Sequence, residues 1–550
     1  NVQGVANPQL TIADGHVFYM ATGVEVYVGN SSDGSLVTAG DIALGSGILF
    51  TSSAAVPARG DWDGLYLSSL SEGSRIEGTT VAFAGGGGNL GAIYLNSNSN
   101  YQVTTSTVTE SANHGLYSGS STGLISGSTF VNSNNTGVYL DSPSSLTTLG
   151  TPSFANNTMS GNGGDAINVY AHDVRQLAAS SAYTGNSGRV RIQGGTAATT
   201  GTWRALDDDY VVGADITIQG ASDPTITVAD GVTMYFEPNT GLRTGPSSDG
   251  GLFVNGVGSG VLFTSAQGAP SPGDWDGIEL GTYDLSSMLS GLTIEYGGTN
   301  NQGNIYVLSS TVTLDNVVST DSSHSGLLLS SSTATVTNSL FDGNFDDGVR
   351  MYTGFLDMAG SIVSNNLSHG INGDAGSGLV LNTPAVETFS NNTITLNGGM
   401  PMIVHVRYSG ELEDTNSFAG NGDDRIRFLA GRMDIDSTWH MHDVMYQVEG
   451  ATSIEQNGGS AHLIIEDGVR VEFDTLSEFR VGYSYPGTVD IQGGLLGVTF
   501  TSNKAVPAPG DWDGIYFGSL SDGSTVSGLT LEYAGGNNLA GIYCYLTNVV

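Results

Sequence analysis

The sequence predicts an all-β solenoid, in which the chain winds once per repeat and each coil stacks on the one before it. Three observations lead to this prediction: a repeat of about 22 residues, a large module that occurs three times, and a composition that disfavours helices. Glycine, serine, threonine and asparagine interrupt every stretch, and no ten-residue run keeps the 3.6-residue period of a helix. Of the 550 residues, 81 are glycine and 39% are hydrophobic, which is enough for an extended core.

The 22-residue period is clearest between residues 314 and 371. Gly326, Gly348 and Gly370 are spaced by 22 residues, and an apolar residue follows each of them. Three further columns share this offset: Leu314 with Val336 and Met358, Val318 with Leu340 and Ile362, and Ser322 with Asn344 and Asn366. Stacked coils place like residues above one another at the strand spacing of ~4.8 Å. We therefore expect the apolar columns to form a continuous interior, the asparagines to form hydrogen-bond ladders, and the glycines to take positive φ at tight corners.

A larger module recurs with its own markers. The pentapeptide Gly-Asp-Trp-Asp-Gly starts at Gly60, Gly273 and Gly510, and an aspartate at the end of a related strand precedes it by 46 or 43 residues. These aspartates are Asp14, Asp230 and Asp467. A Thr-Trp pair with a tyrosine eight residues after the threonine occurs at Thr202 and again at Thr438. The repeats predict three tandem β-helix modules, 1–201, 202–437 and 438–550, of which only the middle one is complete.

Charge and cysteine content exclude several classes of protein. Fifty-three acidic residues against 15 basic ones give a net charge of −38. Such a chain lacks the basic surface that nucleic acid requires and is repelled by an anionic membrane, so we expect neither as a partner. No run approaches the ~20 apolar residues of a membrane span, so we expect no membrane insertion. Cys544 is the only cysteine, which excludes an intrachain disulfide, and its apolar surroundings predict a small core residue.

Two patterns together resemble a known class of proteins. One is the V-x-x-x-L-x-x-x-N-x-x-x-G-V pattern of residues 314–371, and the other is the T-I-x-D-G-V strand followed by G-V-T-F-T-S (497–502) and P-G-D-W-D-G. Over nearly its whole length the chain resembles the right-handed parallel β-helix repeat proteins of bacterial and archaeal surfaces. The resemblance implies a right-handed parallel β-helix and an extracellular or cell-surface location. Adhesins, fibre components, tail spikes and polysaccharide-cleaving enzymes share this fold, so the fold does not choose among them.

Tandem modules and the absence of a distinct catalytic insertion favour a non-enzymatic structural role. We expect a rod-like segment of a surface adhesin, sheath or filament, on the order of 100 Å long, with no catalytic residue and no required cofactor. Self-association by stacking into a fibre is the expected partnership, and a surface glycan is a further candidate partner. The alternative is a polysaccharide-active enzyme, a hydrolase or lyase, or a glycan-binding spike.

Acidic residues supply the candidate sites. The Asp-Trp-Asp core of the pentapeptide can bind calcium or stack on a sugar, but its recurrence in every module favours a structural turn with a buried tryptophan. The candidate calcium ligands are Asp346, Asp347, Asp423 and Asp424, at acidic corners that are otherwise solvated turns. Paired carboxylates also suggest a glycosidase, which needs two acids ~5–10 Å apart on a saccharide cleft, and an arginine, Arg350 or Arg425, follows each pair here. The G-H-G and R-I-K segments of polygalacturonase-type β-helices are missing.

A histidine pair is the remaining candidate. His440 and His442 share one face of a predicted strand, with Asp443 beside them. An H-x-H pair can ligate zinc, but no third ligand is evident. The middle module has Arg204 and Leu206 at the equivalent positions, so the module pattern does not require a metal. The alternative interpretation is that both histidines are exposed residues of the strand.

Overall fold

The computed structural model describes residues 1–41, 47–142, 145–146, 152–299, 302–373, 389–537 and 540–550. The fold is all-β, with 46% strand and 2% helix, and its parallel sheets stack as a β-solenoid of about 19 turns of roughly 26 residues. This confirms the predicted fold class. The 22-residue coil holds between residues 311 and 373, where paired residues differ by 22. Coils elsewhere differ in length, with a 20-residue step from Val190 to Tyr210 and a 32-residue step from Val17 to Leu49.

The chain consists of two compact units, Asn1–Gly268 and Ala269–Val550. The module boundaries after residues 201 and 437, which come from sequence repeats, stay predictions.

In the unit Asn1–Gly268, every described pairing between strands is parallel. One sheet contains Gln9–Ala13, Ser35–Ala39, Arg75–Glu77, Ser99–Thr104, Thr122–Ser126 and Phe154–Ala155. A second contains Val17–Met20, Ile48–Ser52, Thr79–Ala82, Thr107–Thr109, Thr129–Val131 and Thr158–Ser160. A third contains Glu25–Val28, Gly64–Leu67, Gly91–Asn96, His114–Gly119, Val138–Asp141, Ile167–Val169, Val190–Ile192, Tyr210–Val212, Thr233–Phe236 and Val261–Ser265. The remaining strands are Gly195–Ala197, Gly201–Trp203, Ile216–Ile218, Thr225–Ala229, Gly241–Thr244 and Gly251–Asn255.

The unit Ala269–Val550 follows the same plan. One set of neighbouring strands is Leu292–Glu295, Val318–Thr320, Leu340–Asp342, Ile362–Ser364 and Thr393–Thr395. A larger set is Gly277–Leu280, Met288–Ser290, Ile305–Leu308, Thr311–Asp315, Leu327–Thr337, Val349–Ala359, Ile371–Gly373, Phe389–Ser390, Met402–His405, Arg425–Leu429, Met445–Val448, Arg470–Phe473, Val498–Ser502 and Leu529–Leu531. Two smaller sheets are Gly431–Met433, Ala451–Ile454, Glu478–Val481, Gly514–Phe517 and Ile542–Cys544, and Ser437–Trp439, Ala461–Ile465, Gly487–Gln492 and Thr525–Ser527.

Two short 3-10 helices lie entirely within the described residues, Val174–Gln176 and Val406–Glu411. Among the residues described, no helix is both long and apolar enough to cross a membrane.

The interior is built from apolar columns, and the sequence identifies two of three correctly. Leu314, Val336 and Met358 pair in register and are buried, as are Leu327, Val349 and Ile371. The third predicted column, Val318, Leu340 and Ile362, is in register but lies on the outer face. The expectation that it lines the core is wrong, because successive side chains of a strand point to opposite faces. The inward positions are the next ones along each strand, Ser319, Phe341 and Val363.

The predicted asparagine ladder is confirmed. The backbone N–H and the side-chain Nδ2 of Asn344 both donate to Oδ1 of Asn366, at 3.0 and 2.8 Å. Asn366 makes the same pair of bonds to Asn397, at 3.2 and 2.8 Å, and Asn397 makes them to Asn421, at 3.1 and 2.9 Å. Each amide also donates to a backbone carbonyl, as Asn366 does to Phe341 at 3.1 Å. The ladder thereby satisfies polar groups that the interior would otherwise leave unpaired.

The column glycines have a different role from the predicted one. The φ of Gly348 lies outside the left-handed region, so the corner does not require it for positive φ. A Cβ at this position would lie 2.2 Å from Cγ1 of Val363 and 2.7 Å from Nδ2 of Asn366. Glycine is required because the next coil packs directly against the backbone. Positive φ values in these coils occur instead at other positions, among them Asn316 and Asn338, with φ of 54° and 51°.

We expect Gly348→Ala to lower the free energy of unfolding by about 1–3 kcal/mol, because the added methyl group overpacks the contact with Val363. Urea unfolding followed by circular dichroism measures the change. Gly268→Ala is the matched control, because its Cβ would meet nothing within 4 Å and its φ is also outside the left-handed region. A Gly348→Ala variant as stable as the control would contradict this role for the glycine column.

Candidate functional site

The tryptophans of the three pentapeptides are buried in the core. They are Trp62, Trp275 and Trp512, each with no exposed surface. In every copy the indole Nε1–H donates to a backbone carbonyl 20 residues further along the chain, at 2.8–2.9 Å. A ring without exposed surface cannot stack on a sugar. The structural interpretation of the motif is therefore confirmed for its tryptophan.

The first aspartate of each pentapeptide closes the turn that leads into it. Asp61 accepts the backbone N–H of Ala58 at 2.9 Å, and Asp511 accepts that of Ala508 at 2.8 Å. Asp511 also accepts a bond from Nζ of Lys504 at 2.8 Å, and the hydrogen bonds from Lys504 and Ala508, together with the charge of Lys504, lower its pKa to about 2. These carboxylates serve the turn that positions the buried tryptophan.

The strand-end aspartates, which the sequence identified only as module markers, also have a structural role. The carboxylate of Asp230 accepts the backbone N–H groups of Gly258, Ser259 and Gly260 at 2.8–3.1 Å. Asp467 accepts those of the corresponding loop, residues 494–497, at 2.7–3.2 Å. Backbone donors lower the pKa of both aspartates. Each carboxylate thus anchors the loop of the following coil.

At the first acidic corner, Asp347 is completely buried. Its carboxylate accepts bonds from Nη1 of Arg350 at 3.0 Å, from Nδ2 of Asn372 at 3.1 Å and from the backbone N–H of His369 at 2.9 Å. Asp346 is only partly buried, and burial, followed by the charge of Asp347, raises its pKa. Asp347 therefore serves as an internal hydrogen-bond acceptor.

The second acidic corner is more open. Asp423 forms a bidentate pair with Arg425, at 2.7 and 2.6 Å, and Asp424 accepts the backbone N–H of Asn421 at 2.7 Å. Backbone hydrogen bonds through Ser368 and Gly399 place Asp423 in the same column as Asp346, three coils away. That separation is ~14 Å, three times the strand spacing.

The four candidate calcium ligands therefore form two separate pairs. Among the described residues, no group of three or more His, Cys, Asp or Glu side chains is arranged to hold a metal ion. Calcium binding at either corner stays a prediction.

Asp424 lies instead beside a cavity of about 260 Å³ within the unit Ala269–Val550. The cavity is at the start of three adjacent parallel strands, Arg425–Leu429, Met445–Val448 and Arg470–Phe473. Its polar lining consists of Asp424, His440, His442, Asp443, Tyr446 and Arg470. The structure thus brings one predicted calcium ligand together with the predicted histidine pair.

His440 and His442 occupy a turn, and the expectation that they lie on a strand is wrong. The strand Ser437–Trp439 ends before them, and Asp443, which follows them, bonds back to the preceding coil. Asp443 accepts the hydroxyl of Ser417 at 2.7 Å and the backbone N–H of Phe418 at 3.0 Å.

The imidazole of His442 is held between two buried aromatic rings. Its centroid is 5.0 Å from that of Phe418 and 5.8 Å from that of Tyr446, with both rings nearly perpendicular to it. Both ring nitrogens are buried, and neither makes a hydrogen bond of normal geometry within the described chain. Burial, then the neighbouring His440, lowers the pKa of His442 to about 4, and the backbone of Leu412 and nearby aspartates oppose this only partly. At pH 7 the ring is neutral.

The unit Asn1–Gly268 contains the same turn with different side chains. Tyr210 donates to the carbonyl of Arg204 at 2.7 Å, as Tyr446 does to that of His440 at 2.8 Å. Asp207 accepts the N–H of Tyr183 at 2.9 Å, as Asp443 accepts that of Phe418. The positions of His440 and His442 are held by Arg204 and Leu206. The turn therefore forms without either histidine.

Cys544 is exposed on the strand Ile542–Cys544, so the expectation of a core residue is wrong in this structure. A neighbouring coil covers the equivalent Leu95 but none covers Cys544 in the described chain.

The outer face of the unit Asn1–Gly268 carries a column of tyrosines that was not predicted from the sequence. Its members are Tyr27, Tyr66, Tyr94, Tyr117 and Tyr139, which pair in register on successive strands. Neighbouring ring centroids are 4.3–5.4 Å apart. The last three tyrosines are spaced by nearly 22 residues, and this spacing is the sequence pattern that could have predicted the column. The rings pack mainly on one another, which favours a stabilising role for the column.

No protein-family description matches the sequence, and comparisons with curated proteins and with solved structures find no significant match. Function must therefore be argued from the fold and the site alone.

We expect His442→Leu, which introduces the residue of the equivalent turn, to raise the free energy of unfolding at pH 7 by about 1–3 kcal/mol, because two buried nitrogens that make no hydrogen bond of normal geometry are removed. Thermal and urea unfolding measure this change.

The same substitution is expected to reduce the loss of folding stability that occurs as the pH falls. Between pH 6.5 and about 4 the unfolded imidazole binds a proton and the folded one does not, so stability is lost as the pH falls. His114, whose pKa burial also lowers to about 4, keeps part of this dependence in the variant. An unchanged pH profile in His442→Leu would contradict the buried neutral state of His442.

Proposed function

We propose that the protein is a non-enzymatic structural protein, a rod-like repeat segment of an extracellular adhesin, sheath or filament. The observation that carries this proposal is the parallel stacking of the coils, in which each strand pairs with the equivalent strand one coil away. Such a repeat can be extended by adding coils without redesign of the core, which suits a protein whose function depends on length.

The use of the recurring residues supports this proposal. The pentapeptide tryptophans fill the core, and the strand-end aspartates anchor loops. The residues that define the module therefore stabilise the fold itself. An extracellular or cell-surface location and self-association into a fibre are part of the same proposal, and the unpaired edges of a β-solenoid offer sites for strand addition or stacking.

We expect the 550-residue chain to be elongated in solution, with a maximum dimension on the order of 100 Å. Size-exclusion chromatography with small-angle X-ray scattering measures this, and light scattering separates monomers of 56.6 kDa from assemblies. A compact globule of this length has a radius of gyration of about 24 Å. A monomer with that radius would contradict the rod-like role.

A polysaccharide-active enzyme is the second candidate function. The favouring observation is the contact of Asp347 with Arg350 and with the backbone of His369, next to the partly buried Asp346. The complete burial of Asp347 argues against it, because a catalytic carboxylate must reach the substrate.

We expect no new reducing ends when the protein is incubated with acidic or neutral polysaccharides, because Asp347 is completely buried and Asp423 is held in a bidentate pair with Arg425. A reducing-sugar assay measures this. Cleavage that disappears in Asp346→Asn or Asp423→Asn, but persists in Asp315→Asn as a carboxylate control, would establish the enzymatic alternative.

A further inference from the structure

The column of tyrosines contains chemistry that the stacking of the coils does not require. Its first two members, Tyr27 and Tyr66, pair in register on neighbouring coils. The strand that follows the second pentapeptide has Glu279 at the position of Tyr66. After the third pentapeptide this position is Tyr516, and its partner in register is Arg480. The coils therefore stack in the same way without two tyrosines at this position.

The rings of Tyr27 and Tyr66 are the closest neighbours in the column. Their centroids are 4.3 Å apart, and their planes are inclined by only 23°. Nδ2 of Asn96 donates to the hydroxyl of Tyr66 at 2.5 Å, which holds this ring in place. Burial, followed by the side-chain hydrogen bond with Tyr66, raises the pKa of Tyr27 to about 12. The phenol ends of the two rings therefore lie side by side.

The other neighbouring pairs of the column are less suited to a bond between ring carbons. The planes of Tyr66 and Tyr94 are inclined by 72°, and those of Tyr94 and Tyr117 by 83°. Tyr117 and Tyr139 are stacked at 5.4 Å, but their hydroxyls donate to side chains of two different coils. Close stacking with adjacent phenol ends is thus a property of the first pair.

We propose that Tyr27 and Tyr66 are a site of oxidative modification, at which they form a dityrosine that joins two successive coils. The oxidant is hydrogen peroxide acting through a haem peroxidase. Each phenol gives up one electron and one proton, and the two radicals join through the Cε carbons beside their hydroxyls. The hydrogen on each of these carbons then moves to the phenol oxygen. In total the protein loses two hydrogen atoms, which reduce one peroxide to two waters.

The structure supplies access for this reaction and a reason for it. Both side chains are partly exposed, so a small oxidant reaches them. The bond would restrict the unfolded chain between residues 27 and 66, as a disulfide does, and the single cysteine excludes an intrachain disulfide. The inference goes beyond the proposed structural role and is independent of it, because it concerns a covalent bond within one unit.

Oxidation of the dilute 550-residue protein by a haem peroxidase and hydrogen peroxide tests this inference. Trypsin releases peptide 60–75, in which Tyr66 is the only tyrosine, and peptide 1–59, which contains Tyr19 and Tyr27. We expect the monomer fraction from size-exclusion chromatography to contain these peptides joined, with a mass two hydrogen atoms below their sum. Mass spectrometry and dityrosine fluorescence measure the product.

Phenylalanine variants separate this pair from general oxidation of the surface. Phenylalanine keeps the ring but has no phenol O–H, so Tyr27→Phe and Tyr66→Phe should each lower the yield of joined peptides about tenfold or more. Tyr19→Phe is the matched control, because Tyr19 is 71% exposed and pairs in register with Thr51. It should leave the yield unchanged. A product found only in dimers, an unchanged yield in Tyr27→Phe, or a product lost in Tyr19→Phe would overturn the proposal.

Thermal unfolding measures what the bond does for the protein. We expect the cross-linked monomer to melt on the order of 5 °C above the untreated protein. Tyr27→Phe treated with the same oxidant controls for other oxidative changes and should show no such rise. A cross-linked wild-type monomer that melts no higher than this treated variant would overturn the stabilising effect of the bond.

Discussion

The register between successive coils is the constraint on which the rest of the structure depends. Parallel pairing bonds each strand residue to a residue one coil away, so a position in one coil has a fixed neighbour in the next. The asparagine ladder from Asn344 to Asn421 uses this register twice per step, once through a backbone N–H and once through a side-chain amide. Because the ladder is internal, a change in register would leave several amides unpaired together.

Close stacking also determines where glycine is needed. At Gly348 the next coil lies so near that a single added carbon atom would reach Val363. Coils can therefore differ in length at their exposed loops, as the steps of 22 and 32 residues show, while the positions that face the next coil remain restricted. The loops are in turn fixed by carboxylates such as Asp230, which bind the backbone of the following coil.

A scaffold fixed in this way tolerates different chemistry at a single turn. The turns ending at Tyr210 and Tyr446 share their hydrogen bonds but differ at the residues that line the cavity. The side chain of Leu206 has no polar atom that needs a hydrogen-bond partner, whereas the imidazole of His442 has two buried nitrogens. Specific sites can arise on a repeat fold by such local replacements, without a change in its topology.

The sequence by itself determined the all-β solenoid, the 22-residue register of the coils between residues 314 and 371, and the ladder that begins at Ser322, because stacking repeats a residue type at a fixed interval. It also identified Asp424, His440 and His442 as separate candidates. Only the tertiary structure decided that Val318 faces outward, because the face depends on where each strand begins relative to its corner. It alone placed Asp424 beside the histidines, because the cavity collects side chains from three coils whose separation in the sequence carries no periodic signal.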